Sequence, residues 1–328
     1  MSVPCVRVPR EEGEAARTAL AEADLVDDGH EIVLEDGTLY IPVRDPDALP
    51  EEYEVVCRAA PRREGQVMPA DVLGWDPSYE RLGDVVIVDE DDPETAREVA
   101  AALMDSDLPV ATVCNRASKV KGRERVREWE VLAGDGTETV HREYGYEFIL
   151  DIREVYFSPR LATERHRVTE QVAAGDRVVD MFAGVGPFAI PMADRGAEVV
   201  AVDVNPIAIE YLRENAERNG VADRITAIHG DVREVVEEYA DWADRLVMNL
   251  PHSADEFLET AVALASEDCV LHFYDIQSDE DPFGPGEAAI RAVAEPAGYE
   301  VVVETRREVR SYAPHELNVC LDVRLTRD

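Results

Sequence analysis

From residue 156 onward, apolar strand-like runs alternate with helical segments. "DRVVDMFAG", "AEVVAVDVN", "RITAIHGDV", "DRLVMNLP" and "CVLHFYDI" are five strand candidates, mostly separated by stretches of helical character. Near-continuous apolar strands joined by helices make a parallel sheet buried on both faces, because each crossover lays a helix on the sheet. The stretch "YEVVVETRREVRSYAPHELNVCLDVRLT" breaks the alternation and reads as two long strands in succession. The expected fold is therefore α/β: a mostly parallel seven-stranded, Rossmann-like sheet ending in an antiparallel hairpin, preceded by two small α+β domains.

Those two domains follow from local signals. Residues 1–60 hold a short strand, "CVRVP", an amphipathic helix, "EEGEAARTALAEADL", and two strands around Asp36-Gly37, a strong hairpin dipeptide. Residues 61–79 are rich in proline and glycine and read as a linker. Residues 80–155 hold a buried strand, a helix capped by Asp92 with Pro93 at its first position, a second strand, and three alternating segments of antiparallel character. Residues 156–328 are the α/β domain. With 328 residues, more than one domain is expected. No apolar run reaches the length of a membrane span, and "MSVPCVRVPREEGEAA" lacks the apolar stretch of a signal peptide. Five scattered cysteines without a C-x-x-C argue for reduced thiols in the cytosol, and against structural zinc. A cytoplasmic location is expected, with no membrane partner.

"VVDMFAGVGPFAI", residues 178–190, carries the strongest chemical signal. A buried strand ends at Asp180, a turn follows through Phe182, Gly184 and Gly186, and Pro187 opens a helix. Glycines permit close backbone approach, and a helix N-terminus offers free N–H groups. Asp203 closes the next strand, where an acid holds ribose hydroxyls. Asp231, in "HGDVRE", closes the third, where an adenine amine would be held. A dinucleotide binder does not normally carry an acid before the turn. D-x-F-x-G-x-G suits a cationic ligand, which selects S-adenosylmethionine (SAM) over NAD.

"VMNLPHSADEF" ends the fourth strand, at the edge facing the ligand crevice of such sheets. Asn249-Leu250-Pro251 is similar to the N-P-P-Y motif of amine methyltransferases, but Leu250 replaces a proline and His252 the aromatic. Read alone, the tripeptide is equally a strand-ending turn. Together, "VYFSPRLATER", "VVDMFAGVGPF", "DVREV", "VMNLP" and "SYAP" resemble the archaeal and eukaryotic class of tRNA (guanine-37, N1)-methyltransferases, and the resemblance extends over nearly the whole chain. It implies methyl transfer from SAM to N1 of the guanine beside the anticodon. It casts Glu164 as general base, Arg125 as stabiliser of charge growing on O6, and Asn249 as holder of the guanine edge. Asn249 and Pro251 would also line the cofactor, with Tyr156 near the cofactor or the target base. From local chemistry alone, Glu164 reads as a first-turn glutamate facing the helix dipole, and Tyr156 equally as core. The resemblance further implies a monomer and a tRNA-body-reading role for residues 1–60. Deleting those residues is expected to weaken tRNA binding and to spare SAM binding. Magnesium is expected as an aid to tRNA folding or catalysis, without a dedicated protein site. His229, His252 and His272 lack metal-ligand spacing.

Charge adds one more expectation. The chain holds 33 Lys+Arg against 71 Asp+Glu, a formal net charge of −38. That acidity, with arginine almost wholly replacing lysine, reads as adaptation to a salty cytoplasm. Yet Arg116, Lys119, Lys121, Arg123, Arg125 and Arg127 crowd into "NRASKVKGRERVRE", and Lys119 and Lys121 are the only lysines. On an extended strand alternate residues share a face. With Arg160, Arg165, His166 and Arg167, and with Arg306, Arg307 and Arg310, they are the expected tRNA-facing cations. Rival readings are a wybutosine-pathway transferase using the aminocarboxypropyl group of SAM, a non-catalytic SAM- and tRNA-binding module, and a Rossmann oxidoreductase.

Overall fold

The structure, a computed structural model, describes residues 2–50, 53–62, 65–118 and 127–327. It divides into two compact units, Met1–Met68 and Pro69–Asp328. In the first, strands Ser2–Pro9, Val33–Glu35, Thr38–Pro42 and Glu54–Ala59 form one antiparallel sheet. Asp36 (φ 48°) and Gly37 (φ 76°) make the expected hairpin turn. Two successive positive φ values match the twist of the flanking strands. The helix Gly13–Glu22 brings Ala16 and Leu20 onto Val6, Val8 and Ile41.

The second unit opens with a short helix, Pro69–Leu73, inside the stretch expected as linker. Proline tolerates a first helical turn, where no N–H is needed. Strands Glu80–Leu82, Val85–Val88, Thr112–Arg116 and Trp129–Ala133 form a sheet against the helix Pro93–Asp105. Asp92 caps that helix, accepting the Thr95 N–H at 2.8 Å. Strands Glu138–Glu143 and Tyr146–Asp151 form a separate antiparallel hairpin.

The remaining strands form one seven-stranded sheet, and labels here run along it in chain order. They are β1 (Arg177–Asp180), β2 (Glu198–Asp203), β3 (Ile225–His229), β4 (Ala243–Met248), β5 (Ala265–Ser278), β6 (Glu300–Ala313) and β7 (Glu316–Thr326). Their spatial order is β3-β2-β1-β4-β5-β7-β6. Strands β1 to β5 pair in parallel, while β7 runs antiparallel to both β5 and β6. Alternate residues feed two separate cores. Val178, Val199 and Val247 join Ile190 and Leu212 on one face. Val179, Val200 and Leu246 join Leu258 and Ile290 on the other. Burial on both faces is why these strands read as unbroken apolar runs.

One asparagine ties the hairpin to this sheet's covering helix. Asn215, fully buried on the helix Pro206–Arg218, accepts the Ile149 N–H at 2.7 Å and donates to the Ile149 and Val185 carbonyls, both at 3.1 Å. Asn219, one turn on, repeats the pattern with Glu147. Side-chain amides thus complete a strand edge that has no neighbouring strand there.

Candidate active site

Sheet order fixes where a ligand can sit. Between β1 and β4 the order reverses, so the crossovers leave the sheet in opposite directions and open a crevice beyond the strand ends. Asp180 ends β1 and pairs across with Val247 of β4. Asp203 ends β2, Asp231 follows β3, and Asn249 follows β4. Four sequence-selected polar residues therefore meet at one edge.

The turn after β1 is shaped by its acids and glycines. Asp203 accepts the Gly184 N–H at 2.7 Å and the Asn205 N–H at 2.9 Å, bracing the turn against the start of the next helix. Gly184 (φ 54°) and Gly186 (φ 91°) both adopt left-handed conformations. Their free faces differ. A Cβ on Gly184 would meet only the Tyr156 carbonyl, at 3.9 Å, so that side is open to a ligand. A Cβ on Gly186 would lie 3.0 Å from Ile190 and 3.3 Å from Leu212, so this glycine serves helix packing rather than ligand approach. Phe182 packs edge-on to Phe257, at 5.0 Å between centroids.

Asp180 is fully buried, and neither carboxylate oxygen has a hydrogen-bond partner among the described residues. Burial pushes its pKa up to about 7; the Phe182 N–H offsets part of this without reaching hydrogen-bond geometry, and the Asp203 charge adds to it. A buried carboxylate without a partner fits a cationic ligand, which is the chemistry SAM brings. Asp231 caps the following turn and pairs with Arg233 at 2.6 Å.

Glu164 lies on the helix Ala162–Thr169 and is 3% exposed. Arg167 grips it with two bonds, Nε to Oε2 at 2.9 Å and Nη2 to Oε1 at 2.7 Å. The Tyr274 hydroxyl reaches Oε1 at 3.1 Å, and the Arg307 Nε lies 2.8 Å from Oε2. The carboxylate is thus held by far more than its helix dipole. Tyr156 is partly exposed, in the loop entering that helix.

The basic residues divide. Arg116, from the strand Thr112–Arg116, and Arg160 both bind Glu80, at 2.7 and 3.0 Å, so two sequence clusters converge. Arg116 also holds Asp89, and its side chain is only 19% exposed. Arg127 lies over the Trp129 ring. Arg165 and Arg167 correct the expected tRNA-facing set, Arg167 being taken up by Glu164 and Asp322. Arg165 is buried in a bidentate pair with Glu143, and it donates to the Ser158 carbonyl, so its charge is spent inside the fold. Lys119, Lys121, Arg123 and Arg125 lie outside the described residues.

Other residues of the site escaped sequence reasoning. Asp322 on β7 accepts from Arg167 at 2.6 Å and pairs with the His272 Nδ1 of β5 at 2.7 Å. His272 is core, fully buried, and Arg245 approaches its Nε2 at 2.7 Å. His272, Cys320 and Asp322 place three ligand atoms within 4.8 Å, but Arg167 and Arg245 already bind this cluster, and their charges oppose a cation there. A signal for these residues existed. In "VLHFYDI" and "VCLDVRL", a histidine and an aspartate interrupt buried strands, and buried polar groups need partners.

The strand order and the orphan carboxylate that precedes the glycine turn together define a Rossmann-like, SAM-dependent methyltransferase. Comparison with known proteins narrows this. The TRM5/TYW2 methyltransferase domain matches residues 139–302, the tRNA methyltransferase 5 N-terminal domain residues 5–49, and the TYW2 N-terminal domain residues 66–137. The chain is 39% identical to tRNA (guanine(37)-N(1))-methyltransferase Trm5b of Pyrococcus abyssi, over 98% of each protein. It is 31% identical to the tRNA(Phe) (4-demethylwyosine(37)-C(7)) aminocarboxypropyltransferase of Pyrococcus horikoshii, over 75% of this chain and 88% of that one. A solved complex of aTrm5 and tRNALeu matches with a TM-score of 0.71 and 34% identity, covering 98% of this chain and 99% of that chain. The chain belongs to the TRM5/TYW2 methyltransferase family.

Proposed function

We propose that this protein is a tRNA (guanine(37)-N1)-methyltransferase. The observation that carries the reading is identity to Trm5b across 98% of both chains, whereas the aminocarboxypropyltransferase matches 75% of this one. When bound, SAM supplies an electrophilic methyl on a sulfonium. Asp180 offers it an anionic wall, Gly184 an open backbone face, and Asp203, Asp231, Asn249 and Pro251 the rim. Guanine N1 is a poor nucleophile until it loses its proton. Glu164 takes that proton as N1 bonds to the methyl carbon and the carbon–sulfur bond breaks. Negative charge growing on O6 is met by Arg125, an oxyanion-hole role. Asn249 holds the guanine edge, and Tyr156 packs beside the reacting groups.

Residues 1–60 read the tRNA body and 61–79 connect. Residues 80–155 support the anticodon branch through Arg116, Lys119, Lys121, Arg123 and Arg127, and Arg160, just beyond them, adds to the same basic face. Residues 156–328 perform the transfer. The enzyme works as a monomer in a salt-rich cytoplasm; among the described residues no helix is long and apolar enough to cross a membrane.

The test is transfer of labelled methyl from SAM to a tRNA transcript with G at position 37, beside an A37 control, in high-potassium buffer. The expected result is 1-methylguanosine on the G37 transcript alone. The match of residues 66–137 to the TYW2 N-terminal domain favours a second reading, aminocarboxypropyl transfer. Label moving from the aminocarboxypropyl carbons, and not from the methyl, would establish it. SAM binding without transfer to any tRNA would remove both.

A further inference from the structure

A general base must be oriented, yet remain able to accept a proton. Those demands conflict when an arginine does the orienting, because a guanidinium that holds a carboxylate also stabilises its charged form. The surroundings of Glu164 contain a resolution. Arg167 does not belong to Glu164 alone. While Nε and Nη2 hold Glu164, Nη1 donates to Asp322 Oδ2 at 2.6 Å and Nη2 to Asp322 Oδ1 at 3.2 Å. One cation is shared between two buried carboxylates.

Asp322 is itself braced. Arg245 can only donate, so its contact at 2.7 Å makes His272 Nε2 the acceptor and leaves the proton on Nδ1, which donates to Asp322 Oδ1 at 2.7 Å. Burial lowers the pKa of His272, consistent with a neutral ring. The Gln171 amide adds a bond to Oδ2 at 3.2 Å. Burial disfavours charge on Asp322, but His272 and Arg167 outweigh it and hold its pKa far below the usual carboxylate range.

We infer that Arg167, braced by Asp322 and His272, is the positioning residue that presents Glu164 to guanine N1. The inference rests on Glu164 being the base. The charged and titratable groups facing Glu164 are Arg167 from its own helix, Tyr274 from β5, Arg307 from β6, and Cys320 with Asp322 from β7. Arg307 is the most exposed of these partners, with 41% of its side chain accessible.

The sharing predicts opposite effects of two charge deletions. With Asp322→Asn the whole guanidinium charge acts on Glu164, so the carboxylate becomes harder to protonate and less basic. With Arg167→Gln, Glu164 faces Asp322 without a cation between them and becomes easier to protonate. The experiment is single-turnover methyl transfer to the G37 transcript from pH 5 to 9, with Glu164→Gln alongside and melting curves for every variant. The acid limb should lie lower in Asp322→Asn than in Arg167→Gln, with wild type between them. The plateau rate of Asp322→Asn should fall about tenfold, with KM for SAM within about threefold of wild type. Arg167→Lys, which keeps charge but not the fork, should lose rate without moving the limb.

Limbs of Asp322→Asn and Arg167→Gln that coincide with wild type, in folded proteins, overturn the positioning role. If Asp322→Asn does not fold, Arg167→Gln decides: an upward limb supports the role and an unmoved one overturns it. Glu164→Gln keeping most of the wild-type rate would instead remove the base itself, a separate and distinguishable failure.

Discussion

Asp180 takes a carboxylate into full burial, where neither oxygen has a hydrogen-bond partner among the described residues. With its pKa pushed up by burial to about 7, it is about half protonated at neutral pH. A cationic ligand selects the ionised form. SAM affinity should therefore rise as pH rises through about 7, and Asp180→Asn should flatten that dependence while weakening binding at pH 8 by about tenfold or more; titration calorimetry at several pH values checks both. Stability moves the other way. An unfolded aspartate ionises near pH 4, whereas the folded group keeps its proton until about 7, so this residue's contribution falls as pH rises from about 4 to 7. Asp180→Asn should thus raise the melting temperature at pH 8 by about 2 °C or more without SAM, a gain that a role for Asp180 as a simple structural ion pair would not give. Asp180 and Gly184 were legible because one turn holds them. The partners of Glu164 were not, because Tyr274 and Arg307 lie far along the chain and meet it only when β5 and β6 assemble.

Strand–helix alternation revealed the sheet, and a break in that alternation revealed its antiparallel end. Both signals are local. The docking of the 138–151 hairpin is not, since its strand edge is satisfied by asparagines of a helix some 66 residues later in the chain. Nothing in the pattern of "YLRENAERNG" distinguishes Asn215 from a surface polar residue. Asn215→Leu keeps the branched shape but strips partners from three backbone groups. It should cost about 2–4 kcal/mol, given the penalty for buried unsatisfied amides, read as a lower midpoint in urea unfolding. An unchanged midpoint would mean that the hairpin is held by packing alone. The prolines near residue 69 misled in a simpler way: they mark a turn or a helix start equally well, and here a short helix follows.

A net charge of −38 should repel a polyanion, yet tRNA is the proposed partner. Added salt screens that long-range repulsion, the Debye length falling from about 10 Å at 0.1 M to about 3 Å at 1 M, and it leaves close arginine–phosphate bonds less affected. Affinity for tRNA should hold or tighten as KCl rises from about 0.1 to 1 M, where ordinary counterion release would weaken it. A filter-binding series that falls steeply with salt would refute this. The two units also make separate predictions, because each has its own apolar core. Removing Met1–Met68 should leave SAM affinity within about threefold and weaken tRNA binding by about tenfold or more. Loss of SAM binding would show that the units are interdependent. Composition gave the charge; it could not show that Arg165 is buried while Arg160 stays at the surface.

The sheet order has a consequence for how the chain is made. Strand β7 lies between β5 and β6, although β6 is synthesised first. Before β7 is in place, β6 lacks its native neighbour, and the open edge of β5 is the position β7 will take. Strand β6 must wait for β7, which follows it in the chain. During that delay it presents fourteen residues of open strand. Arg306, Arg307 and Arg310 break its apolar run, and charges on an open strand discourage pairing with the wrong neighbour. The arginine that later contacts Glu164 can thus have an earlier use, keeping a nascent strand soluble until its partner arrives.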